Sequence, residues 1–143
     1  MTIDCRDPGR LVGFWAEALR YRPQPAPAGH ATWRDWYLSV GVPADELGDG
    51  DCADRLEDPT GAGPRIWFQP VPEPKSVKNR LHIDLKVGGG REVPLPERRA
   101  RVDAEVARLV PLGARVLGTM DDSANGHYAV QLADPEGNEF CVV

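Results

Sequence analysis

Asp134-Pro135-Glu136-Gly137-Asn138-Glu139-Phe140-Cys141-Val142-Val143 is the stretch whose reading decides the fold. Proline presets φ, and glycine and asparagine accept positive φ, so the first half is a tight turn. The second half is a short apolar run of strand character. The same Asp-Pro-x-Gly turn stands earlier, at Asp58-Pro59-Thr60-Gly61, ahead of a second such run, Ile66-Trp67-Phe68-Gln69. A turn-then-strand unit that occurs twice in 143 residues predicts two copies of one small module.

Outward from these anchors, each half reads as strand, helix, then several strands. Ile3 and Cys5 alternate with Asp4 and Arg6 in a short opening strand. Asp7 is placed to cap a helix whose first residue is Pro8, and Leu11, Val12, Trp15, Ala18 and Leu19 recur at helical spacing. Pro23, Pro25 and Pro27 end that helix near Arg20-Tyr21. Trp33 through Val40, rich in aromatics, reads as a strand, and the stretch 41–65, rich in glycine, proline and acids, reads as loop with at most a short strand. Arg65 to Val71 is a strand and Pro72 to Arg80 a polar connector.

The second copy opens at Leu81, with Leu81, Ile83, Leu85 and Val87 on one strand face and His82, Asp84 and Lys86 on the other. Glycine and proline between Gly88 and Pro96 lead into a helix from about Glu97 to Val110, with Val102, Val106, Leu109 and Val110 as its apolar stripe and Gly113 as its stop. Arg115 to Leu117, His127 to Leu132 and Glu139 to Val143 complete the strands. The reading is one domain over residues 1–143, made of modules at about 1–72 and 81–143.

Composition narrows the function classes. A formal net charge of −5 with scattered lysines and arginines argues against a nucleic-acid partner, which needs a concentrated basic face. No apolar run approaches the roughly 20 residues that span a bilayer, and the N-terminus lacks a signal-peptide core, so a cytoplasmic protein without a membrane partner is expected. Cys5, Cys52 and Cys141 are odd in number and widely spaced, which reads as reduced thiols.

Taken together in order and spacing, Asp7-Pro8 with Phe14-Trp15 and Leu19, His82-x-Asp84-Leu85, Leu112-Gly113-Ala114 and Asp134-Pro135-Glu136-Gly137-Asn138 resemble the vicinal oxygen chelate superfamily, the glyoxalase/bleomycin-resistance/dioxygenase proteins, over nearly the whole chain. The resemblance implies an α+β fold: two fused βαβββ modules whose mixed sheets curl around a ligand cavity. It also implies a homodimer, and metal ligands at the first and last strands of each module in those members that use a metal.

On this chain those four positions are filled by His82, Cys141 and Gln69, with the fourth falling just before Met1 when Ile3 and Cys5 are matched to Leu85 and Val87. Either the site has been lost or the true start lies upstream. A catalytic metal takes about three protein ligands and one open position, and His82, Gln69 and Cys141 are a mismatched set, so no cofactor is expected, with a divalent metal left as the alternative.

Strand alternation then assigns faces. With Ile83, Leu85, Phe140, Val142, Ile66 and Phe68 in the core, Trp67, Gln69, His82, Asp84, Glu139 and Cys141 line the cavity as ligand-binding candidates. His82, Glu139 and Cys141 are the candidates for catalysis, as general acid–base pair or as an activated thiol, each weighed against an ordinary cross-strand contact. Trp33, Trp36, Tyr37 and Trp67 either stack a planar ligand or fill core space. The expected function is binding, with or without transformation, of a small organic molecule. The alternative is a metal-dependent lyase, isomerase or dioxygenase that uses His82.

Overall fold

Each half of the chain builds its own four-stranded mixed sheet around the turn that ends it. The computed structural model describes residues 1–143 in full and divides into two units, Met1–Pro74 and Lys75–Val143.

In the first unit, β1 (Thr2–Cys5) leads into α1 (Pro8–Leu19), followed by β2 (Arg22–Pro23), α2 (Trp33–Ser39), β3 (Arg55–Glu57) and β4 (Ile66–Pro70), with sheet order β1-β4-β3-β2. In the second, β5 (Ile83–Leu85) leads into α3 (Leu95–Leu109), then β6 (Arg115–Asp122), β7 (His127–Ala133) and β8 (Glu139–Val142), with order β5-β8-β7-β6. Each unit is βαβββ, the first with α2 inserted, and each opening strand runs parallel to the closing strand of its own unit. This is the α+β architecture expected from the resemblance.

The repeated turn is the same device both times. The Asp134 carboxylate accepts from Glu136 N (2.9 Å) and Asn138 N (2.9 Å), and the Asp134 carbonyl accepts from Gly137 N (3.0 Å), with Gly137 at φ 93°. The Asp58 carboxylate accepts from Thr60 N (2.8 Å) and Gly63 N (2.6 Å), and its carbonyl accepts from Gly61 N (3.0 Å), with Gly61 at φ 74°. In each case the aspartate supplies the acceptors that a reversing backbone lacks, and the glycine takes the left-handed conformation that a side chain resists.

Asp7 caps α1 by accepting from Arg10 N at 3.0 Å, with Pro8 in the first turn, and buries Leu11, Val12, Phe14, Trp15 and Ala18 against the sheet's Leu56, Ile66 and Phe68 side. The second core is formed by Leu85, Val102, Leu109, Val130, Leu132, Phe140 and Val142.

Four expectations are corrected. Trp33 to Val40 is not a strand. Thr32 and Asp35 form a reciprocal capping box, and Trp33, Trp36 and Tyr37 then fall on one helical face, so the local cap outweighs the strand preference of the aromatics. The strand that follows α1 is instead Arg22–Pro23, where Pro23 is tolerated because β2 is the outer strand of its sheet. Leu81 is 86% exposed, and the strand expected from it is reduced to Ile83–Leu85. Val110 leaves the α3 stripe for a 3-10 turn at 45% exposure, while buried Glu105 joins the packed face with its carboxylate held by Arg108 at 2.9 Å.

The fourth correction concerns register. Ile3 pairs with Phe68 and Asp4 with Gln69, while Ile83 pairs with Phe140 and Asp84 with Cys141. With Gln69 equivalent to Cys141, Asp4 is therefore equivalent to Asp84 and Thr2 to His82. The position expected just before Met1 lies within β1 and holds Thr2, a residue without the imidazole its counterpart carries.

Candidate functional site

The second unit brings together most of the residues singled out from sequence. On β8, Phe140 and Val142 turn into the core and Glu139 and Cys141 turn to the opposite face. Register places Asp84 of β5 on one side of Cys141 and Gln131 of β7 on the other, which forms a polar row across three strands.

Glu139 is fully engaged in this row: its carboxylate is paired with Lys78 and accepts from Gln131 Nε2 at 3.1 Å, while its carbonyl lies 3.4 Å from Asn79 Nδ2. The hydrogen bond from Lys78 holds the Glu139 carboxyl below its ordinary value. Burial, and next the charge of Asp84, push the Cys141 thiol up. A depressed carboxylate and a raised thiol give this face an anionic acceptor and a neutral sulfur, not a poised nucleophile. His82 sits exposed one residue ahead of β5.

The ion pair fixes a pH dependence. The folded carboxyl titrates below its unfolded value of 4.5, so the Lys78–Glu139 contribution is present above that value and lost as pH falls through the folded pKa. Lys78→Gln is expected to lower Tm slightly above about pH 4.5 and to leave it unchanged in stronger acid, so that the acid limb of a Tm-versus-pH curve flattens. An unaltered acid limb would show that the pair does not titrate with folding.

The first unit holds the aromatic candidates. On β4, Trp67 sits opposite Arg55 and Thr2, and Gln69 opposite Asp4. Trp67 Nε1 donates to Asp54 Oδ2 at 2.7 Å, and the Tyr37 hydroxyl donates to the same oxygen at 2.6 Å. Burial first, and then the bond to Asp54, push the Tyr37 phenol well above its ordinary range, so it stays a donor. The Arg55 guanidinium stands 4.3 Å from the centre of the Trp33 ring and 5.6 Å from that of Trp67. Trp33 is 2% exposed, with Nε1 bonded to Gln24 O at 2.7 Å, and is a core residue.

Beside Tyr37, Asp54 and Trp67 opens a cavity of about 1010 Å³, bounded by the start of α1 and by the loop from Val42 to Asp54. Of the sequence-named binding candidates, Trp67 lines it, and Gln69, His82, Asp84, Glu139 and Cys141 do not. Asp54, its central polar residue, was missed. It lies in an acid- and glycine-rich loop with no periodicity, and segments distant in sequence draw it into the protein, through the backbone bond from Phe68 N to Asp54 O (2.8 Å) and the side-chain bonds from Tyr37 and Trp67.

A metal would need donors that converge. No group of three or more His, Cys, Asp or Glu side chains in the chain could hold an ion. Together with the raised Cys141 thiol and the amide of Gln69, this makes the donor set a poor fit to the metal site that the superfamily implies. No helix is long and apolar enough to cross a membrane.

Comparison with known proteins agrees with the fold. A glyoxalase/bleomycin resistance protein/dioxygenase family enzyme from Burkholderia phytofirmans superimposes with a TM-score of 0.56 at 17% identity, over 99% of this chain and 93% of that one. The fosfomycin resistance protein FosX from Mesorhizobium loti gives 0.57 at 12% identity, over 99% and 86%. A superfamily member from Sphaerobacter thermophilus gives 0.54 at 14% identity, over 100% and 92%. No curated protein matches the sequence. The family profile described as a glyoxalase-like domain matches residues 1–143, and the chain belongs to that family.

Proposed function

We propose that this protein binds a small organic molecule, and that the cavity of the first unit receives it. The observation that carries this reading is the convergence of Trp67, Tyr37 and buried Asp54 on one side of a cavity of about 1010 Å³ whose other walls include Val12, Val42, Leu47 and Pro70. Ligand cavities run to roughly 300–1,000 Å³, with mainly apolar walls and a few placed polar groups, and this cavity has that make-up. The two aromatic side chains are anchored through Asp54, so little of their freedom remains to be lost on binding. The protonated thiol and ion-paired carboxylate of the second unit favour binding over nucleophilic chemistry.

Calorimetric titration with two aromatic probes, 1-naphthylmethylamine and 1-naphthylmethanol, tests the reading. Saturable binding that weakens roughly tenfold or more in Trp67→Ala is the expected result. No binding of either probe by the wild type would end it. Retention of an ion per chain after exposure to Zn²⁺, abolished in His82→Ala, would favour the metal-dependent alternative instead.

A further inference from the structure

We infer that the outer strand β6 of the second unit docks a second copy of this chain, the two β6 strands running antiparallel about a two-fold axis at Thr119. β6 is the last strand of its sheet, so one side of its backbone faces no partner strand. Edges of this kind are ordinarily blunted by brevity or by proline. The outer strand β2 of the first sheet is blunted in both ways, with two residues and Pro23. β6 is eight residues long and contains no proline. Helix α3 packs over β7 and β8, and every residue of β6 from Arg115 to Asp121 is left exposed. Val116, Leu117 and Met120 stand among them at 45%, 40% and 60% exposure, apolar area that a covering partner takes out of water.

Charge identifies that partner as the same strand, reversed. Arg115 opens β6 and has no ion pair within its own chain, and Asp122 closes it. Asp122 stays an anion, because bonds from Asn125 Nδ2 (2.8 Å) and Asn125 N (3.3 Å) hold its carboxyl below the ordinary value. A parallel copy would bring like ends together. An antiparallel copy sets each Arg115 against Asp122 of the other chain, twice over. The register meets a second condition as well. Against β7, Leu117 is bulged out and seven residues of β6 are paired, with Thr119 in the middle. Counting outward from Thr119 sets Gly118 opposite Met120, Val116 opposite Asp121 and Arg115 opposite Asp122. Each of these pairs shares a sheet face: Arg115, Gly118, Met120 and Asp122 lie on the Gln131 side, and Val116, Thr119 and Asp121 on the Leu132 side. Met120 then enters the open space over Gly118, where a Cβ would meet no atom within 4 Å. The Asp121 charge opposite Val116 is already taken by Arg99.

Charge reversal tests the pairing on the full chain, by size-exclusion chromatography with light scattering over a dilution series. The wild type is expected at the mass of two chains. Arg115→Asp alone, or Asp122→Arg alone, sets like charges against each other at both ends of the pair. Each should raise the concentration at which the dimer dissociates roughly tenfold or more. Mixed in equal amounts, the two variants form a heterodimer with opposite charges at each end, and should regain the wild-type affinity. That rescue cannot come from misfolded chains, so loss of the Asp122 bonds to Asn125 does not confuse the result. A wild type that stays at the mass of one chain, a dimer that neither reversal weakens, or a weakening that mixing fails to relieve would each overturn the inference.

Discussion

Phe140→Ala is expected to destabilise the protein by about 3–5 kcal/mol, and Phe68→Ala by a comparable amount. Both rings are 0% exposed, and both sit on a strand flanked by partners on each side. Phe140 faces Ile83 across one ladder and Leu132 across the other, so truncation empties the centre of the second core. Phe68 stands opposite Ile3 on the inner strand β4, in the corresponding place of the first core. Neither site can collapse easily, because sheet neighbours hold the backbone apart, and the cavity term therefore adds to the lost burial. Urea unfolding followed by circular dichroism checks the pair. A loss under about 1 kcal/mol at either position would show that its ring does not fill the core as described.

Asp54→Ala is expected to cost about 2–5 kcal/mol, although it removes a charge from a buried place. The reason is what it strands. The Tyr37 hydroxyl and the Trp67 indole N–H both donate to Asp54 Oδ2, and each loses its acceptor in a part-buried setting where water cannot fully replace it. At about 1–3 kcal/mol per stranded donor, that loss outweighs relief of Oδ1, which has no hydrogen bond, and the change also takes away the ion-pair partner of Arg55. The double variant Asp54→Ala with Tyr37→Phe decides the mechanism. It should be less destabilised than the sum of the two single variants, since Phe leaves no hydroxyl to strand. Strict additivity in chemical denaturation would mean that the three side chains do not act as one network.

The residues of the second-unit face were legible because strand alternation is a local rule. Once Phe140 and Val142 are inward, Glu139 and Cys141 must point the other way, and the structure has them so. Their chemistry was not legible. Whether Cys141 is a thiolate depends on burial and on Asp84 from another strand, and whether Glu139 is free depends on Lys78, distant in sequence. The same holds for α2. Its capping box is written in Thr32 and Asp35, a signal that the strand preference of the aromatic run masks.

By itself the sequence determined the modular repeat, the capped first helix, the turn before each closing strand and the core phenylalanines. All of these rest on turn chemistry and on periods of two and about 3.6 residues, which act between near neighbours. Tertiary structure alone decided the pairing of Ile3 with Phe68, and with it the identity of Thr2 as the counterpart of His82. It alone decided that Asp54 is buried with one oxygen bonded twice and the other not at all. Register and burial are sums over contacts between distant segments, and no local pattern in the chain encodes them.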